Sequence, residues 1–139
     1  MHTTKTIFLA SAMITNANGA LLTVRKKGSI YYMMAGGKID QGETPLEALI
    51  RELNEELNLT IDPSIPTYLG VHQTQAVNEV NTRVHATIFH LSLPEVPLVV
   101  QAELEELKWL TYDNYQQVPL AHLLEEFTLP LWLKNKKSQ

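Results

Sequence analysis

Apolar and polar positions repeat along this chain with two different periods. Thr4–Thr15 is rich in β-branched and apolar residues and predicts a strand. Asn18-Gly19 then signals a turn, and Ala20–Arg25 reads as the partner strand of a hairpin. "KKGS" is a second turn, Ile30–Met34 a short strand, and "AGGKIDQGE" a loop. From Thr44 to Asn58 the period becomes that of a helix. Leu46, Leu49, Ile50, Leu53 and Leu57 make one apolar stripe. Thr44 suits the N-cap, Pro45 the first helical position, and Glu47 completes the spacing of a capping box. Asn58 follows the last turn, where it tolerates the left-handed conformation better than most residues.

Pro63 and Pro66 bound a loop. Tyr68–Val77 and Arg83–Leu93 read as two longer strands joined through "NEVN". Ser92–Glu103 contains prolines and reads as irregular, and Leu104–Thr111 as a last strand holding Trp109. Asp113 begins a short helical turn. Ala121–Leu133 predicts a C-terminal helix interrupted near Pro130, and "KNKKSQ" a solvated tail. Strands, a helix, more strands and a second helix predict a mixed sheet covered by helices.

With 139 residues the chain suits one domain over 1–139. Its net charge of −4 gives no footprint of an electrostatic nucleic-acid binder, although metal ions can join an acidic protein to a polyanion. It has no cysteine, which removes disulfides, thiolate metal sites and cysteine nucleophiles. "TIFLASAMI" reads better as a strand than as the core of a signal peptide. No stretch approaches the roughly 18–20 apolar residues of a membrane span. The expected compartment is the cytoplasm.

The candidate chemistry lies in "GGKIDQGETPLEALIRELNEEL", Gly36–Leu57. At about 100° per residue, Glu52, Glu55 and Glu56 fall within one arc beside the apolar stripe. Like charges so placed weaken an isolated helix by a few tenths of a kcal/mol per pair, roughly, and a divalent cation reverses that sign. Oxygen ligands without His or Cys suit Mg²⁺ or Mn²⁺, and Mg²⁺ usually completes its shell with waters and substrate phosphates. Gly36 and Gly37 let the backbone approach closely, and Lys38 can reach a phosphate as a point charge. The plain alternative is a solvated acidic helix face.

Gly37, Glu43, Arg51-Glu52-Leu53, Glu55-Glu56 and Leu59, at these spacings, resemble the Nudix box. Asn58 stands where the family has glycine, and Ala35 where a proline is common. The resemblance implies an α/β/α sandwich with a mixed sheet, the box forming a loop–helix–loop. It implies Mg²⁺- or Mn²⁺-dependent hydrolysis of a nucleoside diphosphate linked to another group. Glu52, Glu55 and Glu56 match the metal-binding glutamates, with Glu52 also a candidate base. Gly37 matches the position whose carbonyl can ligate metal, and Arg51 and Glu43 an ion pair that orients the helix. The implied partner is a small nucleotide, with no membrane or stable nucleic-acid complex, and a homodimer is possible.

Beyond the box, Glu79, Glu103, Glu105 and Glu106 are candidates for a further carboxylate, Glu106 foremost. Arg25 is a candidate phosphate contact. His72 and His85, with Arg83 and Phe89 on the strand parity of His85, are candidates for a base pocket beside the plainer reading of a polar sheet face. Tyr31, Tyr32 and Tyr112 suit base stacking or core, and Met33 and Met34 core or pocket wall. A (deoxy)nucleoside triphosphate, possibly damaged, is the expected substrate. Nucleotide sugars, dinucleoside polyphosphates and a non-hydrolysing nucleotide sensor stay open. The isoprenoid diphosphate isomerase branch of the fold resembles a chemistry that uses cysteine, which this chain lacks.

Overall fold

Hydrophobic alternation places one strand at the centre of the molecule. The computed structural model describes residues 4–137. β1 (Lys5–Thr15) pairs in parallel with β6 (Thr82–Ser92), from Lys5↔Thr82 to Thr15↔Ser92. β5 (Thr67–Gln75) lies antiparallel to β6 at the sheet edge. The sheet is therefore mixed, as expected.

The predicted hairpin forms in a limited sense. β2 (Leu21–Lys26) meets β1 at Thr15↔Leu21 and then turns to β3 (Tyr32–Met33) and β7 (Leu104–Leu110). The place beside β1 is taken by β4 (Ala35–Lys38), paired from Leu9↔Lys38 to Ala12↔Ala35. The glycine-rich segment read as loop thus begins as a strand. Its pairing comes from β1, a long-range partner that local propensity does not register.

Alternation sends the two sides of β1 into two cores. Ala10, Ala12 and Ile14 pack with Leu49, Leu53 and Leu57 of α1 (Pro45–Leu57). Met13, Val84, Ala86 and Ile88 pack on the opposite face with Leu124 and Trp132. A helix layer covers each face, the α/β/α arrangement. α1 starts and stops as its sequence dictates. Thr44 accepts from Glu47 N–H at 3.1 Å, and Glu47 Oε1 accepts from Thr44 N–H at 2.9 Å. Asn58 closes the helix in the left-handed region, φ 54° and ψ 35°.

Pro130 does not interrupt the C-terminal helix. A π turn over Leu124–Thr128 leads directly into α2 (Leu129–Lys137), with Leu129 N–H reaching back to Leu124 O. The widened turn falls just before the residue that lacks a donor. Lys134–Lys137, read as tail, continue α2, while Ser138 and Gln139 lie outside the described residues. The short turn near Asp113 is a 3₁₀ turn at Tyr115–Gln117. Among the described residues no helix is long and apolar enough to cross a membrane.

Candidate functional site

β4 carries its glycines between α1 and a cavity, and this explains both. Gly36, φ +137°, pairs with Ser11, and a side chain there would overlap the β1 backbone. A side chain at Gly37 would overlap the Glu52 carboxylate. The two glycines therefore allow contact with β1 on one hand and with a helix carboxylate on the other.

Glu56 is the most buried acid of the site, only 6% exposed. Its Oε1 accepts from Gly36 N–H at 3.2 Å. Burial pushes its carboxyl up from 4.5 to about 7; the Gly36 bond and the Lys26 charge oppose this, and the Glu52 and Glu103 charges add to it. Helical spacing puts Glu56 beside the apolar stripe, and the fold buries it within the packed face.

Arg51 gathers the other acids. Its Nε and Nη2 donate to Glu43 Oε2 and Oε1 at 2.7 and 2.9 Å, a two-pronged pair that holds the Glu43 carboxyl down at about 2. Nη1 donates to Glu52 Oε1 at 2.9 Å and lies 3.3 Å from Glu55 Oε2. Nη2 also donates to Lys38 O at 2.9 Å, joining the helix to the end of β4.

The donors suit a hard divalent ion: three carboxylates, one of them buried with its charge poorly compensated, next to a glycine backbone. Among the described residues no three acidic or histidine side chains converge to hold a metal as they stand, and Arg51 engages both Glu52 and Glu55. Fit therefore rests on the donor set and on Glu56.

The cavity beside these groups has a volume of about 520 Å³. Gly36, Gly37, Lys38 and Glu56 line it on one side, and Met33 and Met34 form wall. Thr74, Gln75, Asn78 and His122 add polar groups. Lys26 and Lys27 also line it, although "KKGS" reads as a plain turn in the sequence. Nothing local in that turn signals a cavity, which forms where β2 leaves β1.

Several expected contacts fall elsewhere. Arg25 Nε donates to Glu106 Oε1 at 3.1 Å, and Tyr32 Oη donates to the same oxygen at 2.7 Å. Arg25 and Glu106 thus engage each other beneath Tyr32, and neither lines the cavity. Of the other acids, Glu79 lines the cavity, Glu103 reaches Glu56 with its charge, and Glu105 is exposed. His72 and His85 do not share a pocket. His72 pairs across from Ala86 and bonds Glu126 at 2.8 Å, whereas His85 packs at a tilt against Phe8 on the opposite sheet face, the side of Arg83 and Phe89. Tyr112 stacks on Trp132 at 4.4 Å within the core, and Tyr31 does not line the cavity.

A family model described as NUDIX domain matches residues 8–129. The CTP pyrophosphohydrolase of Escherichia coli (strain K12) is 31% identical over 131 residues, covering 88% of this chain and 92% of that protein. The 8-oxo-dGTP diphosphatase of the same strain is 35% identical over 60 residues, 40% of this chain and 46% of that one. The crystal structure of the MutT protein from Methanosarcina mazei Go1 has the same fold, with a TM-score of 0.76 at 19% identity and 99% of each chain covered.

Proposed function

The chain belongs to the Nudix hydrolases, a family that generally uses divalent metal ions, and from that premise we propose a Mg²⁺- or Mn²⁺-dependent pyrophosphohydrolase of a free nucleotide. The observation that carries this reading is Glu56: a buried carboxylate beside Glu52, reached through a glycine backbone that lines the cavity. A (deoxy)nucleoside triphosphate is the preferred substrate. Similarity to proteins named for CTP and 8-oxo-dGTP supports it. A cavity of about 520 Å³ with thioether walls and polar groups suits a nucleoside. Residues 1–139 act as one domain.

Glu52, Glu55, Glu56 and the Gly37 carbonyl would hold the metal. Bound there, the metal would neutralise phosphate charge and make the attacking water easier to deprotonate. Arg51 orients Glu52 while anchored on Glu43 and Lys38 O. Lys26, Lys27 and Lys38 bring positive charge to phosphates entering the cavity. Glu52 accepts the proton of the water that attacks a phosphorus of the diphosphate linkage. The bond from that phosphorus to the bridging oxygen breaks, and two phosphate products leave.

A substrate panel tests this: nucleoside triphosphates, oxidised dGTP, nucleotide sugars and dinucleoside polyphosphates, with and without Mg²⁺, both products being identified. The expected result is metal-dependent release of nucleoside monophosphate and pyrophosphate from one or a few triphosphates. Tight nucleotide binding without turnover across the panel would make the protein a sensor instead.

A further inference from the structure

The last turn of α1 has an end problem made worse by its sequence. An α-helix leaves its final carbonyls without partners inside the helix. Here that turn also carries Glu55 and Glu56 and no basic residue, so carboxylates crowd the negative end of the helix dipole. Asn58 N–H serves Asn54 O at 3.1 Å. The remaining need is met from the irregular segment before β7. Gln101 Nε2 donates to Asn54 O at 3.2 Å and to Glu55 O at 3.0 Å. Its two amide protons match these two acceptors. Gln101 N–H donates to Glu56 O at 2.9 Å, and Val99 N–H to Leu57 O at 3.2 Å. One short segment thus reaches four consecutive carbonyls, those of the two site glutamates included.

The same segment continues to the cavity. Ala102 takes φ +55°, an unfavourable conformation for alanine that turns the chain sharply. Glu103 O then accepts from Lys27 N–H at 2.9 Å, and the Glu103 carboxylate lies 3.9 Å from Lys26 Nζ. Lys26 and Lys27 line the cavity. The segment therefore ties the carboxylate turn of α1 to the lysine pair where β2 ends.

We infer that Gln101 is a positioning residue for the metal-binding carboxylates, holding the Glu55–Glu56 turn of α1 in register with the lysine pair of the cavity. The inference rests on the proposed metal site. It assigns no contact with substrate to Gln101. Its side chain acts through the helix backbone, as outer partners of metal ligands do.

The test is Mn²⁺ binding to the substrate-free protein, followed by electron paramagnetic resonance, alongside thermal unfolding. Glu56→Gln first establishes whether wild-type Mn²⁺ sits at the carboxylates. Gln101→Met keeps length and removes both donors. Gln101→Asn keeps the amide and shortens its reach, at a smaller structural cost. Both should weaken Mn²⁺ binding, the Met variant by about 10-fold, the lower end of the effect of removing such partners. Half-maximal metal for turnover should rise in parallel, with kcat returning to within a few-fold at saturating Mn²⁺. A lowered Tm with unchanged Mn²⁺ affinity in both variants would make Gln101 a stabilising cap only and overturn the inference while leaving the metal site standing. Wild-type binding absent, or unaffected by Glu56→Gln, would overturn both together.

Discussion

Glu56 joins burial to chemistry. Its folded-state pKa of about 7 lies above the carboxyl's ordinary 4.5. Between those values the folded protein holds a proton that the unfolded chain has released. Stability of the metal-free protein therefore falls as pH rises from about 4.5 through about 7, by on the order of 3 kcal/mol. Urea unfolding at pH 5.5 and 8 should show about 2 kcal/mol of this loss, Glu56→Gln should flatten it, and Mg²⁺ should offset it at pH 8. A slope unchanged in Glu56→Gln would assign it to other groups. The neighbouring glycines make a second contrast. Gly37→Ala meets only the side-chain end of Glu52 and no backbone, so it should displace that carboxylate and cut turnover while changing Tm little. Gly36→Ala meets the β1 backbone from a positive φ and should destabilise by several kcal/mol, roughly, as overpacking and strain combine. Activity and Tm of the pair read both outcomes. The spacing of Glu52, Glu55 and Glu56 was legible in the sequence. The burial of Glu56 was not, because it depends on β4 lying across the helix.

Among the elements, α1 was the most legible, since its cap, stripe and stop are local. Asn58 takes the left-handed conformation that glycine would adopt. Asn58→Gly should therefore leave stability and turnover nearly unchanged, whereas Asn58→Ala should cost about 1–2 kcal/mol. Denaturant midpoints measure both. Arg51→Lys should cost far more activity than its conserved charge suggests. A lysine cannot make the two-pronged bond to Glu43 while also holding Glu52 and Lys38 O. Steady-state kinetics should show a fall in kcat of about 10-fold or more, the scale for losing a ligand-orienting partner. β4 escaped sequence reading because two glycines hide a strand whose pairing is supplied by β1. The Gln101 segment escaped it because prolines and polar residues carry no period.

Across the whole molecule, what could not be read is which strands meet. The parallel pairing of β1 with β6 joins segments more than 70 residues apart, and the departure of β2 from β1 opens the cavity. Lys26 and Lys27 line that cavity, while the β2–β7 register sets Arg25 opposite Glu106. The register of β5 on β6, with His72 opposite Ala86, puts His85 and His72 on opposite faces. Mixed α/β architecture followed from the order of the periods, whereas strand neighbours are set by long-range packing. The central claim is that the α1 carboxylates carry metal-dependent hydrolysis of a phosphoanhydride. The most direct measurement is ³¹P NMR of nucleoside triphosphate turnover across a Mg²⁺ titration, wild type against Glu56→Gln. The account predicts pyrophosphate release that follows Mg²⁺ and falls by at least about 10²-fold in the variant, the scale for losing one charge-stabilising group. Turnover that ignores Mg²⁺, or that survives Glu56→Gln intact, would contradict it.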